Sequence, residues 1–192
     1  HTETEVLGQG APGNRIPTYV PDPTVVLTPS HAMASSLFKR MTGLSVPVNA
    51  PVISQMVQFV QAYDAGTDPN GLVKATLRAT QEDSFYNITV RDMAKRMSVR
   101  EEAVSAAPFN DFVAFFIGLT NDDGDARDLL TGDYYYAADP NLAAVPSNVV
   151  NDILRSNNHY ASLESGGFNL RRVLKKKGTQ QIFSNGSSTD LP

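Results

Sequence analysis

Residues 108–136 read PFNDFVAFFIGLTNDDGDARDLLTGDYYY, an apolar run that breaks into an acidic turn. Phe109, Phe112, Val113, Phe115, Phe116, Ile117 and Leu119 leave almost no polar face. The segment therefore predicts a helix covered on all sides, and so a central one, with Phe112, Phe115, Phe116 and Ile117 at the middle of the core. A helical fragment over 126–131 stops at Gly132, ahead of three consecutive tyrosines, Tyr134, Tyr135 and Tyr136.

The neighbouring segments repeat the helical period. Thr28 and Pro29 open a helix whose Met33, Leu37 and Met41 recur at fourfold spacing before Gly43 ends it. Asn49 is positioned to cap a second, with Val52, Met56, Phe59, Val60 and Tyr63 on one face. Asp68 and Pro69 form a cap and first-turn pair for a third, faced inward by Leu72, Val73 and Leu77. A fourth runs from about Ser84 with Tyr86, Val90, Met93 and Met97 inward and Arg91, Lys95 and Arg96 in solvent. Shorter helices are expected over 149–155 and over 168–177, the latter burying Leu170, Val173 and Leu174. Strand-like pieces are confined to 25–27 and 181–183.

The fold expected is mainly α: an irregular single-domain helical bundle with an extended Pro/Gly-rich N-terminal arm. Its parts are the arm over 1–29, a helical domain over 30–178 and a polar tail over 179–192. With 192 residues the chain is long enough to bury a core without staples.

Composition narrows function by exclusion. A net charge of -4 argues against general nucleic-acid binding. Zero cysteines removes disulfides, thiolate catalysis and cysteine-ligated metals from this chain. No apolar run reaches the roughly 20 residues that span a bilayer. The chain opens on His1 without an initiator Met and with a Pro/Gly-rich stretch, which reads as a mature exported form, a tag remnant or a fragment. Of these the exported form is expected, periplasmic or at the cell surface.

Four groups of residues carry candidate chemistry. Asn121, Asp123, Asp125 and Asp128, with Asp122 among them, cluster the oxygen ligands that a hard cation such as calcium wants. They miss the EF-hand pattern, since placing Gly124 at its sixth position puts Leu119 and Leu130 at the first and twelfth. A solvated helix terminus, with Asp122 or Asp123 as cap, explains the same residues. His1 could hold copper with His31 or His159, as in the histidine brace of lytic polysaccharide monooxygenases, but those enzymes are β-sandwiches. Ser156, His159 and Glu164 bring together acid, base and nucleophile types without a nucleophile-elbow motif. No residue is assigned a catalytic role.

The fourth group is Arg171, Arg172, Lys175, Lys176 and Lys177, 5 of the 16 basic residues. It reads as a helix C-terminus complementing the dipole, or as a docking surface for an acidic partner. Residues 101–139 carry nine acidic side chains against one basic, so that partner could be this chain's own acidic segment, a second copy or another protein. The sequons at Asn87 and Asn185 are taken as chance.

The segment ARDLLTGDY, residues 126–134, resembles the R-E-L-L-T-A-D-Y element in helical domains of large exported bacterial proteins that also carry a c-type haem segment, abundant in planctomycetes. FKRMTG at 38–43 is similar to the R-R-L-T-G opening of such domains, and 83–85 to the start of a later helix there. The chain departs from them in lacking Cys-x-x-Cys-His, so it attaches no haem covalently. The resemblance implies an exported, haem-free helical module acting beside an electron-transfer unit, with no catalytic residues to carry over. The function expected is therefore a non-catalytic module that binds a protein partner or its own assembly. Its rival is a metal-dependent binding protein or enzyme using 122–128 or the His159 region.

Overall fold

The computed structural model describes residues 4–5, 17–18, 26–98, 108–138 and 158–178. These are mainly helical and divide into two compact units, one ending at Thr89 and the other beginning at Val90. Among the described residues, no helix is long and apolar enough to cross a membrane.

In the first unit a short antiparallel pair, β1 (Thr4–Glu5) with β2 (Pro17–Thr18), accompanies three mutually packed helices. Helix α1 (Pro29–Thr42) begins where Thr28 Oγ1 accepts the His31 N–H. It ends at Gly43, whose φ of 69° is a left-handed conformation that costs glycine little. Helix α2 (Pro51–Asp64) buries Val52, Ile53, Met56, Val57 and Val60. The residue before its first turn is Ala50, which supplies no side-chain cap, so Asn49 does not take that role. Helix α3 (Gly71–Thr80) likewise starts after Asn70, while Asp68 closes a turn by accepting the Asn70 N–H at 3.0 Å.

The inward face of α3 differs from expectation. Gly71, Ala75 and Ala79 are buried, whereas Val73 and Leu77 are 57% and 56% exposed. Close helix approach explains the reversal: a Cβ on Gly71 would stand 2.2 Å from the Phe59 carbonyl oxygen. Only small residues fit there, and Val73 and Leu77 lie about 200° around the helix from that stripe. Tyr63 is also exposed, as are Val26 and Leu27, which form no strand.

A π-helical turn, Phe85–Val90, precedes α4 (Arg91–Ser98) in place of one continuous α-helix. Such a turn adds a residue to the winding and rotates every later side chain relative to an α-helical register. Val90 is buried and Arg96 exposed as expected, but Lys95 is buried with Ala94, and Met93 and Met97 are exposed, against expectation.

Helix α4 packs on α5 (Asp111–Asn121), the central element of the second unit. Asn110 caps α5 by accepting the Val113 N–H at 3.0 Å. Val113, Ala114, Ile117, Gly118 and Leu119 are buried, while Phe112, Phe115 and Phe116 are half-buried. The core therefore centres on the small face of α5 rather than on its phenylalanines. The reason is Tyr136, whose ring lies flush on Gly118: a Cβ there would meet its Cδ1 at 2.1 Å.

After the single turn α6 (Asp128–Thr131), β3 (Tyr135–Ala138) pairs antiparallel with β4 (Leu174–Lys177), and both strands pack on α5. Helix α7 (Asn158–Ser165) and the single turn α8 (Leu170–Val173) complete the described unit. The expected helix over 168–177 is thus corrected: it stops at Val173, Leu174 adopts extended φ and ψ, and the lysines form a strand. Leu170, Val173 and Leu174 are buried as expected. The helix over 149–155 and the strand over 181–183 lie outside the described residues.

Candidate functional site

The acidic turn, the tyrosines and the basic strand meet at one end of α5. Tyr136 donates its phenol proton to Asp122 at 2.7 Å, and Tyr134 donates to Asp128 at the same distance. Phe115 stacks on Tyr134 with ring centroids 4.9 Å apart, and Lys176 Nζ stands 3.5 Å from the centroid of the Tyr134 ring. Arg171 Nε donates to Asn121 Oδ1 at 3.0 Å, fastening the basic segment to the end of α5. Burial, reinforced by the Asp128 carboxylate, pushes the Tyr134 phenol up to about 12. Burial and Asp122 raise Tyr136 in the same direction.

The four expected cation ligands are therefore distributed among separate partners. Asn121 accepts from Arg171, and Asp128 from Tyr134. Asp125 accepts from Arg127, at 2.9 Å from Nε to Oδ2, and the guanidinium holds its carboxyl below the usual range. Asp123 has a φ of 52° and closes the turn through its N–H to the Thr120 carbonyl. Among the described residues no three His, Asp or Glu side chains gather as a metal-binding group.

His159 is fully buried on α7, and its Nε2 accepts the Ala138 N–H at 3.2 Å. An accepting Nε2 in a neutral ring puts the proton on Nδ1. The neighbouring Tyr160 donates its phenol proton to the Tyr136 carbonyl at 2.9 Å, and burial raises that phenol above its usual range. The two side chains thus hold alternate backbone groups of β3. Glu164 turns elsewhere, accepting from Lys95 Nζ at 2.5 Å with Arg91 3.9 Å away. Lys95 is only 4% exposed, and the pair joins α4 to α7. Sequence reasoning assigned Lys95 to solvent because nothing in the spacing marked the π-turn.

His31 Nδ1 lies 2.7 Å from Thr28 Oγ1 beside the α1 cap. The Asn87 amide is buried and donates to the Asp83 carbonyl, which leaves no room for a glycan. His1, Ser156 and Asn185 lie outside the described residues.

Of the basic group, Arg172, Lys175 and Lys176 are exposed, and Arg171 and Lys177 half-buried. Lys175, Lys176 and Lys177 stand on a strand held in register by β3, while Arg171 and Arg172 lie in the single turn α8. No family model, curated protein or solved structure matches the chain.

Proposed function

We propose that this chain is an exported, non-catalytic helical module that binds an acidic protein partner through the strip formed by Arg172, Lys175, Lys176 and Lys177. The observation that carries this reading is the basic strand itself. Its lysines stand on a backbone fixed by four cross-strand pairs, and Lys176 is further oriented by the Tyr134 ring. Cations held in place lose less freedom on binding than those on a mobile tail, which favours docking over a purely solubilising role. Charge complementarity then selects an acidic surface and speeds the encounter. Export, and a position beside an electron-transfer unit, rest on the likeness of residues 126–134 to the planctomycete-type domains.

Capture from native-source extracts on immobilised protein tests the binding. The wild type should retain a partner at low salt and release it as ionic strength rises, because exposed charges are screened over about 10 Å at 0.1 M. The combined variant R172Q/K175Q/K177Q spares the Lys176 contact and should lose the partner while unfolding normally. Equal retention by that variant would remove the strip from the binding surface. Cell fractionation tests export, and a purely cytoplasmic protein would contradict it.

A further inference from the structure

The two edges of the β3–β4 ribbon are finished differently. On β3, the Ala138 N–H and the Tyr136 carbonyl point away from β4, since they bond to His159 and Tyr160. Alternation along an antiparallel ladder then turns Tyr135 and Ala137 toward β4, where they face Lys177 and Lys175. By the same alternation, the backbone groups of Leu174 and Lys176 point outward from the other edge. The Leu174 N–H is already bonded to the Leu170 carbonyl. Among the described residues this leaves both backbone groups of Lys176 without a partner, on a strand exposed at Lys175 and Lys176, while Leu174 is buried.

We propose that this outer edge of β4 accepts an extended acidic segment of a partner protein as a third strand. The inference rests on reading the basic strip as the docking surface, and adds how the partner is held. Charge selects the occupant. A second copy of β4 would set lysines opposite lysines, and like charges across a strand pair are destabilising. Lysines on an edge ordinarily discourage pairing with another chain, but they discourage only a partner that cannot neutralise them. An acidic strand gains backbone hydrogen bonds from Lys176 and cross-strand ion pairs with Lys175 and Lys177 together. Main-chain bonds supply affinity and the lysines supply selectivity.

A capped fluorescent peptide alternating glutamate with threonine, and the same peptide N-methylated at every amide, test this by anisotropy. The unmodified peptide should bind the wild-type protein, weaken with added salt and slow hydrogen exchange at the Lys176 amide. Methylation keeps the charge but removes the donors and disfavours the ladder geometry, so it should weaken binding at least about tenfold. Equal binding of both peptides would overturn strand addition while leaving charge-based docking intact. Failure of both peptides to bind, with partner capture by the strip still observed, would also overturn it. Equal partner capture by the wild type and R172Q/K175Q/K177Q in the first experiment, or capture by neither, would instead defeat the docking reading beneath it.

Discussion

The two units solve the problem of burial differently. The first packs α1, α2 and α3 with Ala34, Phe38, Ile53, Met56, Val60, Ala75 and Ala79, nearly all of it hydrocarbon. Polar groups buried there are uncharged, as with Thr42, whose Oγ1 donates to the Phe38 carbonyl, and Ser30, whose Oγ donates to Asp64 at 3.4 Å. The second buries Lys95, His159 and Tyr160 among its apolar residues, and their partners come from distant segments: Glu164, Ala138 and Tyr136. A hydrocarbon core tolerates exchange of one apolar side chain for another of similar volume. A wired core fails when one partner is removed, because the other is left buried and unpaired. The second unit is thus the more specified, and it is the one that carries the basic strand.

The sharpest test of the contrast compares two phenylalanines. Phe38 is 2% exposed in the first unit, and Phe38→Ala should cost about 3 to 5 kcal/mol in urea unfolding. Phe116, half-buried on α5, should cost only about 1 to 2 kcal/mol on the same substitution. Equal losses would restore the all-round apolar helix that the sequence of α5 suggests.

Next in size is the ion pair. Glu164→Ala leaves the Lys95 ammonium buried with its carboxylate gone, but the Glu164 side chain is 32% exposed, which lowers the penalty. The expected loss is about 2 kcal/mol. Replacing both groups, as K95M/E164Q, should recover most of it, because no uncompensated charge remains. A double variant as unstable as the single one would mean that the pair itself, not the unpaired lysine, sets the cost.

Helix existence was legible wherever a cap and a 3.6-residue period coincided. Thr28, Pro29 and Gly43 bound α1 at both ends, and the apolar face of α2 is visible in its spacing. Facing was less legible. At α3, Val73 and Leu77 look like core by hydropathy, yet the contact admits only Gly71, Ala75 and Ala79, a demand set by the neighbouring helix. At α4 the π-turn moved the register by an amount that no local pattern encodes. The docking residues were found as a charge run, but their strand geometry depends on pairing with Tyr135 to Ala138, some forty positions earlier. The carboxylate partners of Tyr134 and Tyr136 lie only 6 and 14 positions away, but a cluster of aspartates does not show which of them faces a phenol.

A smaller effect belongs to Tyr134. Its phenol proton is held more tightly in the fold, up to about 12, than the usual value near 10. Between those pH values the folded state binds more protons than the unfolded, so stability falls as pH rises. The contribution is complete below pH 10 and lost by about pH 12. Tyr134→Phe should cost about 1 kcal/mol at neutral pH and flatten the alkaline decline in Tm. An unchanged decline would assign it to Tyr136 and Tyr160, which are raised in the same sense.

The smallest expected change in stability is at the docking strand, and its smallness is what separates binding from folding there. Lys175 is exposed, makes no ion pair among the described residues and lies opposite Ala137. Lys175→Gln should therefore shift stability by less than about 0.5 kcal/mol. Partner association, in contrast, should slow measurably at low salt, since removing an exposed interfacial charge acts first on the encounter rate. Stopped-flow association and urea titration on the same preparation read the two quantities side by side. A variant that loses stability but keeps its association rate would make Lys175 part of the second unit's packing, and would extend the wired core to the strand that now distinguishes it.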